Sequence, residues 1–173
     1  MKLVKFLDQA GTRLSSDLLN QRILRELVMS EFSATGLSRR LDVPVLKLWR
    51  RIQKLETAGL IEVSSTLKSG NIEKKLYRAT ATNFIPQQFL EFEPKDPQLS
   101  EVFEIYSGIH KKIVAKLANS REIPKDADPV DYSIYASMKA FAEVCGEGDF
   151  AERISRVRKM LSEFKHPVAI SAR

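Results

Sequence analysis

Between Ser33 and Gly59 the chain runs through two short stretches of helical periodicity separated by a break. Leu37 and Leu41 lie four apart on one face of a helix that Ser33 can N-cap, and the chain turns near Asp42 and Val43. Pro44 fits the first turn of a second helix, where a missing N–H costs nothing. Starting from Leu48 and advancing roughly 100° per residue, Ile52, Leu55 and Gly59 stay within about 40° of it and define a buried stripe. The opposite face holds Leu46, Lys47, Arg50, Gln53 and Lys54, with Trp49 and Arg51 on the flanks. The spacing predicts a helix over 44–58 with its apolar anchor inside and its cations outside.

The same reading extends in both directions. Ser15, Ser16 or Asp17 can start an earlier helix in which Leu19, Ile23 and Leu27 align, widened by Leu24 and Val28. Leu3, Phe6, Leu7 and Ala10 fit a short helix before it, with a strand as the alternative. Leu60, Ile61 and Val63 begin a β-branched run that stops at Lys68-Ser69-Gly70-Asn71, and Ile72 to Ala81 returns as a second strand. Prolines at 86, 94 and 97 then interrupt regular structure.

Beyond them, Leu99, Val102, Tyr106, Ile109, Ile113 and Leu117 recur at threes and fours, predicting an amphipathic helix of about 20 residues. Gly108 inside it costs up to about 1 kcal/mol relative to alanine, which a close helix contact would explain. A polar connection over 119–129 leads to a second stripe, Val130, Ile134, Met138, Phe141 and Cys145, ended by Gly146-Glu147-Gly148. A third, Phe150, Ile154, Val157, Leu161 and Phe164, follows an Asp149 that can cap it. The predicted fold is mainly α with a small β-hairpin wing: a helix-turn-helix unit over 1–85, a proline-containing linker over 86–97, and a helical unit of about three helices over 98–173.

At 173 residues, 43% of them hydrophobic, the chain can bury a core. Charge divides it unevenly. Residues 1–85 hold 15 Lys and Arg against 8 Asp and Glu, whereas residues 86–173 hold 13 against 14. Within 39–54, Arg39, Arg40, Lys47, Arg50, Arg51 and Lys54 face only Asp42. Cations packed this densely on a protruding helix favour duplex phosphates through counterion release before any base is read.

Leu37-Ser38-Arg39-Arg40-Leu41, the run Arg51-Ile52-Gln53-Lys54-Leu55-Glu56-Thr57-Ala58-Gly59-Leu60-Ile61, and a wing closing at Tyr77 resemble the winged helix-turn-helix transcription regulators of the ArsR and MarR kind. The resemblance covers about residues 15–85 and implies a DNA-binding regulator; in related regulators the element at the start of the chain often joins the dimer interface. The ending Leu-Glu-x-Ala-Gly-Leu-Ile carries a physical reason, because Gly59 supplies the helix C-cap and Leu60 and Ile61 lead into the wing. The metal-sensing members use cysteine and histidine sets, and no such set is carried over onto this chain.

The expected function is sequence-specific binding of double-stranded DNA, with helix 44–58 in the major groove and the wing over 60–81 on the backbone or minor groove. Arg50 and Lys47 are candidates for base edges, Arg50 because its planar fork matches guanine O6 and N7. Leu46 faces the same arc and suits either a thymine methyl or packing against the preceding helix, while Trp49 on the flank can pack or reach a groove wall. Arg39, Arg40, Arg51 and Lys54 suit phosphates, as do Lys68, Lys74 and Lys75 in the wing. Two half-sites one helical turn apart favour a homodimer, for which Val102, Tyr106, Ile109, Ile113 and Leu117 are the candidate contact, with an intramolecular core helix as the alternative, since periodicity does not distinguish one partner from another. The alternatives are a winged helix that docks a protein partner in a larger assembly, with Trp49 and Leu46 as contacts, and a non-specific DNA-binding chromatin-type protein.

Catalytic chemistry has little to work with. His110 and His166 are the only histidines, and neither has a partner at metal-ligand spacing. Asp126, Asp128 and Asp131 mimic a calcium loop, but Pro129 and Val130 spoil it, and a turn entering a helix is the better account. No enzyme activity, cofactor or metal is expected, and any effector ligand is unspecified. A single cysteine, Cys145, cannot form an internal disulfide, and apolar runs are short of a membrane span, so a cytoplasmic protein without membrane attachment is expected.

Overall fold

The computed structural model describes residues 1–69, 72–90 and 92–163. Gly70 and Asn71 of the expected turn between the two wing strands, Phe164 of the third predicted stripe and His166 lie outside the described residues. The order is β1 (Lys2–Leu7), α1 (Gln9–Ser16), α2 (Leu18–Met29), α3 (Ala34–Leu41), α4 (Val45–Thr57), β2 (Ile61–Ser69), β3 (Ile72–Ala79), β4 (Ala81–Pro86), a 3₁₀ turn (Gln87–Leu90), α5 (Pro97–Ala118), α6 (Pro129–Cys145) and α7 (Phe150–Glu163).

The spacing of Leu3, Phe6, Leu7 and Ala10 straddles two elements, a strand and the start of a helix. Asp8 separates them, its Oδ1 accepting from the Gly11 N–H at 2.7 Å as the N-cap of α1. Of the three residues able to start α2, Asp17 does so, accepting from the N–H groups of Leu19 and Asn20. Ser33 caps α3 through the Gly36 N–H at 3.1 Å. The turn to α4 passes through Asp42 in the left-handed region (φ 53°), and Ser38 Oγ donates to the Val43 carbonyl at 2.6 Å. Pro44 sits at the N-cap of α4, one position before the helix begins.

The C-terminus of α4 closes in a Schellman arrangement: the Leu60 N–H reaches Leu55 O at 2.9 Å and the Gly59 N–H reaches Glu56 O at 2.8 Å. Gly59 has φ 66°, which only glycine adopts without cost. The helix therefore ends in one step into the wing.

The wing is the antiparallel pair β2–β3, in register Ile61↔Ala79 to Ser69↔Ile72, with an irregularity between Val63 and Ser65. Phe32 bridges to Tyr77 and fastens the wing to the loop before α3. α3, the turn, α4 and this hairpin compose a winged helix-turn-helix. One expectation needs correcting here, because the second wing strand stops at Ala79 and does not run to Ala81. Thr80 diverts the chain: its Oγ1 donates to Gly59 O at 2.9 Å and its carbonyl accepts from the Lys2 N–H at 2.9 Å. Ala81 then opens β4, which pairs in parallel with β1 in a second two-stranded sheet.

Two apolar cores result. Leu7, Ile23, Leu27, Leu37, Leu48, Ile52, Leu55, Leu60 and Tyr77 belong to the one behind α4. Leu3, Val4, Val114, Leu117, Ile123 and Ala140 belong to the other. β1 thus contributes Leu7 to the first and Leu3 and Val4 to the second, and the β1–β4 sheet joins the winged half to the helices. Asn83 Nδ2 strengthens the joint, donating to Leu3 O and to Ser133 Oγ, each at 3.0 Å.

The helical half departs from its predicted faces. In α6 the buried residues are Ala140 and Val144, while Ile134, Met138 and Phe141 of the predicted stripe are 53%, 67% and 54% exposed. Small side chains, Ala136 and Ala140, let α5 and β1 approach closely, so the bulkier stripe is left outside. In α5, Leu117 is buried and Ile113 packs against the same core, so these two of the five candidate dimer residues are occupied within the chain. A Cβ on Gly108 would meet nothing within 4 Å, so no close helix contact explains that glycine. Asp128 is the N-cap of α6, accepting from Val130 and Asp131 N–H groups, which is the helix-entry role expected of that acidic turn. α7 buries no residue fully and is held to α5 partly by the Arg156–Glu101 ion pair. No helix among the described residues is long and apolar enough to cross a membrane.

Candidate nucleic-acid interface

α4 is held from behind and presents its front. Leu48, Ile52 and Leu55 are fully buried, which fixes the rotation of the helix about its axis. Removing such side chains from water contributes about 1.5–3 kcal/mol each, enough to set the orientation firmly. On the other side Pro44, Leu46, Lys47, Arg50, Arg51 and Lys54 line a shallow groove along the helix. Lys47, Arg50 and Lys54 are exposed there and, among the described residues, form no ion pair with the protein.

The remaining candidates divide by what they touch. Arg39 on α3 is exposed with no ion pair among the described residues. Arg40 Nε lies 3.1 Å from Glu26 Oε2, with the Arg40 side chain 64% exposed and that of Glu26 13% exposed.

Arg51, expected on a phosphate, is engaged within the protein. Its Nη1 lies 2.8 Å from Asp17 Oδ2 and reaches Asn20 Oδ1 at 3.5 Å, while the fully buried Asn20 donates to Leu14 O at 2.9 Å. Arg51 therefore clamps α4 onto the N-terminus of α2. The Asn20 N–H and, secondarily, the Arg51 guanidinium hold the Asp17 carboxyl below its usual 3.8, against the opposing effect of desolvation.

Three further residues position the reader. Lys5 Nζ donates to Gly59 O at 2.7 Å, placing a cation at the negative end of α4 and tying that end to β1. Arg22 Nη2 donates to Leu41 O at 3.0 Å and caps α3 across from α2. Thr80 meets the same Gly59 carbonyl from the wing side. Sequence spacing holds no sign of these, since Lys5 and Gly59 are 54 residues apart.

In the wing, Lys68 pairs with Glu73 at 3.3 Å, both well exposed. Lys74 and Lys75 are exposed without an ion pair among the described residues, opposite Leu67 and Thr66. Being adjacent on a strand, they leave on opposite faces, so a single flat surface meets one of them. Tyr77 beneath is buried, and burial, with Glu56 nearby, raises its phenol above the usual 10.0. Val45, Leu46 and Trp49 are exposed at the start of α4, adding apolar surface beside the cations.

No family model matches the chain, and no curated protein matches it. Among solved structures it is similar to an ArsR-like transcriptional regulator from Rhodococcus sp. RHA1, with 23% identity over 61% of this chain and 82% of that one, at a TM-score of 0.35. It is also similar to Bacillus subtilis PadR in complex with operator DNA, with 13% identity over 81% of this chain and 98% of that one, again at 0.35. Likenesses this loose carry no argument, and the functional reading rests on the chain's own residues.

Proposed function

We propose that the protein is a DNA-binding transcription regulator of the cytoplasm that reads duplex sequence with α4 in the major groove and steadies itself with the wing. The observation that carries this reading is the division of α4: three fully buried aliphatics behind, and in front the cations Lys47, Arg50 and Lys54 with no ion-pair partner among the described residues. Arg50 and Lys47 read base edges, Leu46 meets a thymine methyl, and Arg39, Arg40 and Lys54 grip phosphates. Lys74 or Lys75 touches backbone or minor groove.

The protein acts as a homodimer. Support comes from the exposed stripe of α6, where Ile134, Met138 and Phe141 lie on one face with Tyr135 beside them. A contiguous apolar face of this kind is what a two-fold interface uses. The contact accordingly moves from α5 to α6.

The test is selection of bound fragments from a random duplex pool, followed by salt titration of the winner. An enriched inverted repeat with a steep salt dependence is the expected result. Recovery of unenriched sequence would mean a non-specific binder. Failure to bind duplex at moderate salt would favour the second reading, a protein-docking winged helix using Val45, Leu46 and Trp49, which are the observation in its favour.

A further inference from the structure

α2 has a face used neither by the cores nor by the reading surface. Its inward side is Asn20, Ile23, Leu24 and Leu27, all buried. Opposite them stand Leu18, Arg22, Arg25 and Met29, which at roughly 100° per residue fall within an arc of about 60°. Leu18 is 78% exposed, Met29 55% and the Arg25 side chain 73%, and Arg22 is exposed as well. α2 and α4 turn their apolar sides into the same core, so this stripe is a different surface from the reading face of α4. Two aliphatic ends therefore bracket two guanidiniums along about 16 Å of helix.

The positive charge of this face is in excess and held in place. Glu26, the one acidic residue of α2, is shared: its Oε2 lies 3.1 Å from Arg40 Nε and its Oε1 3.9 Å from Arg25 Nη2. Arg22 Nη2 donates to Leu41 O at 3.0 Å, which fixes that guanidinium over the C-terminal end of α3. Acids nearby in the chain are engaged elsewhere, Asp17 with Arg51 at 2.8 Å and Glu31, whose Oε2 accepts from Ser65 Oγ at 3.5 Å. Counting the exposed Asp42 at the C-cap of α3 together with Glu26, the arginines 22, 25, 39 and 40 still outnumber the acids by four to two. A surface so charged attracts an anionic partner and repels a cationic one.

From these features we infer that the outer face of α2 docks an acidic amphipathic helix of a partner protein, whose carboxylates meet Arg22 and Arg25 and whose apolar side chains cover Leu18 and Met29. The stripe is spaced four, three, four, the same read in either direction, so the partner helix fits parallel or antiparallel. Duplex phosphate is the poorer occupant, because a phosphate backbone leaves both aliphatic ends uncovered. A second copy of this chain is poorer too. In α5, Glu101 and Glu104 have the three-residue spacing but stand between Pro97 and Gly108, and Glu101 already pairs with Arg156. No duplex is required for this docking, which leaves the reading face of α4 free.

The probe is an alanine-based helical peptide with two leucines eleven residues apart and glutamates four and seven residues after the first, and the control peptide has glutamine in place of both glutamates. Titration into the isotopically labelled full chain at low salt, followed by amide NMR, is expected to give one saturable site centred on α2 with a Kd on the order of 100 µM. The glutamine peptide should bind at least about fivefold more weakly. Arg25→Glu should weaken the glutamate peptide about tenfold, with the melting curve and the affinity for duplex unchanged. Leu18→Gln, which removes no charge, should weaken it about threefold. Absence of saturable shifts, shifts centred on α4, equal binding of the glutamine peptide, or unchanged affinity in Arg25→Glu or Leu18→Gln would each overturn the assignment. Loss of duplex affinity in Arg25→Glu would give the face to phosphate, and loss of self-association would give it to a second copy; either would overturn it too. The peptide titration contains no DNA, so its outcome and that of the duplex selection stand or fall separately.

Discussion

α4 and α6 look alike as sequence and behave oppositely as structure. Each carries an apolar stripe at helical spacing. In α4 that stripe is the buried face, with Leu48, Ile52 and Leu55 at 0% exposure, while in α6 the corresponding stripe faces out and Ala140 and Val144 are buried instead. The difference lies in what stands opposite. The far side of α4 is Lys47, Arg50, Gln53 and Lys54, which cannot be buried without partners, so only one rotation of the helix is possible. The far side of α6 is Tyr132, Ala136, Ala140 and Val144, which can be buried at no electrostatic cost and permit closer helix packing. Periodicity names a face; the polarity of the other face decides whether it goes inward.

The sharpest way to break this comparison is to remove a methyl-rich side chain from the α4 stripe. Leu48→Ala should destabilise the protein by about 2–5 kcal/mol, since the cavity left in a fully buried site collapses only partly. Urea unfolding checks it, and a cost below about 1 kcal/mol would mean that α4 is not clamped as described. Next in size is the outward face of the same helix. Arg50→Ala should cost about 1–3 kcal/mol of affinity on the preferred duplex and relax preference at one base position while leaving stability unchanged. Equal weakening on every sequence would instead make Arg50 a phosphate contact.

Much of the winged half was legible because its determinants are local. Ser33, Asp17 and Gly59 announce helix ends within four residues of the groups they cap, and the Leu48 stripe has a charged opposite face. What escaped was non-local. β1 and β4 pair across some 80 residues of chain, and parallel strands leave no turn signal between them, so Leu3, Phe6, Leu7 and Ala10 fit a helix as readily as a strand followed by one. Thr80 ends the wing early by binding Gly59, a contact that no neighbouring residue foretells. Within the site, Arg51 could not be sorted from Arg50 by type; only the position of Asp17 and Asn20 shows that it clamps the helix.

The clamp itself supplies a smaller effect. Asp17→Ala removes an acceptor for two N–H groups of α2 and the partner of Arg51, and should cost about 0.5–2 kcal/mol. The folded pKa of Asp17 lies below its ordinary 3.8, so its contribution is complete above that value and lost as pH falls through the lower, folded one. The stability gap between the wild type and Asp17→Asn should therefore be constant from pH 5 to 7 and narrow only below about 3.8. A gap that narrows near neutrality would assign the effect to another group.

The smallest expected change is the counterpart of the largest. Met138→Ala removes a side chain comparable in size to that of Leu48 from the α6 stripe, but one that is 67% exposed in the single chain. At protein concentrations low enough to keep the chain monomeric, its unfolding free energy should stay within about 0.5 kcal/mol of the wild type. If α6 is the surface on which two copies meet, the variants separate as concentration rises, because self-association stabilises the wild type by mass action and the variant less. A melting temperature that climbs with concentration for the wild type and more slowly for Met138→Ala gives the exposed stripe its use. Identical concentration dependence would leave α6 as an apolar face that this chain merely tolerates, and would move the search for a dimer contact elsewhere on the helical half.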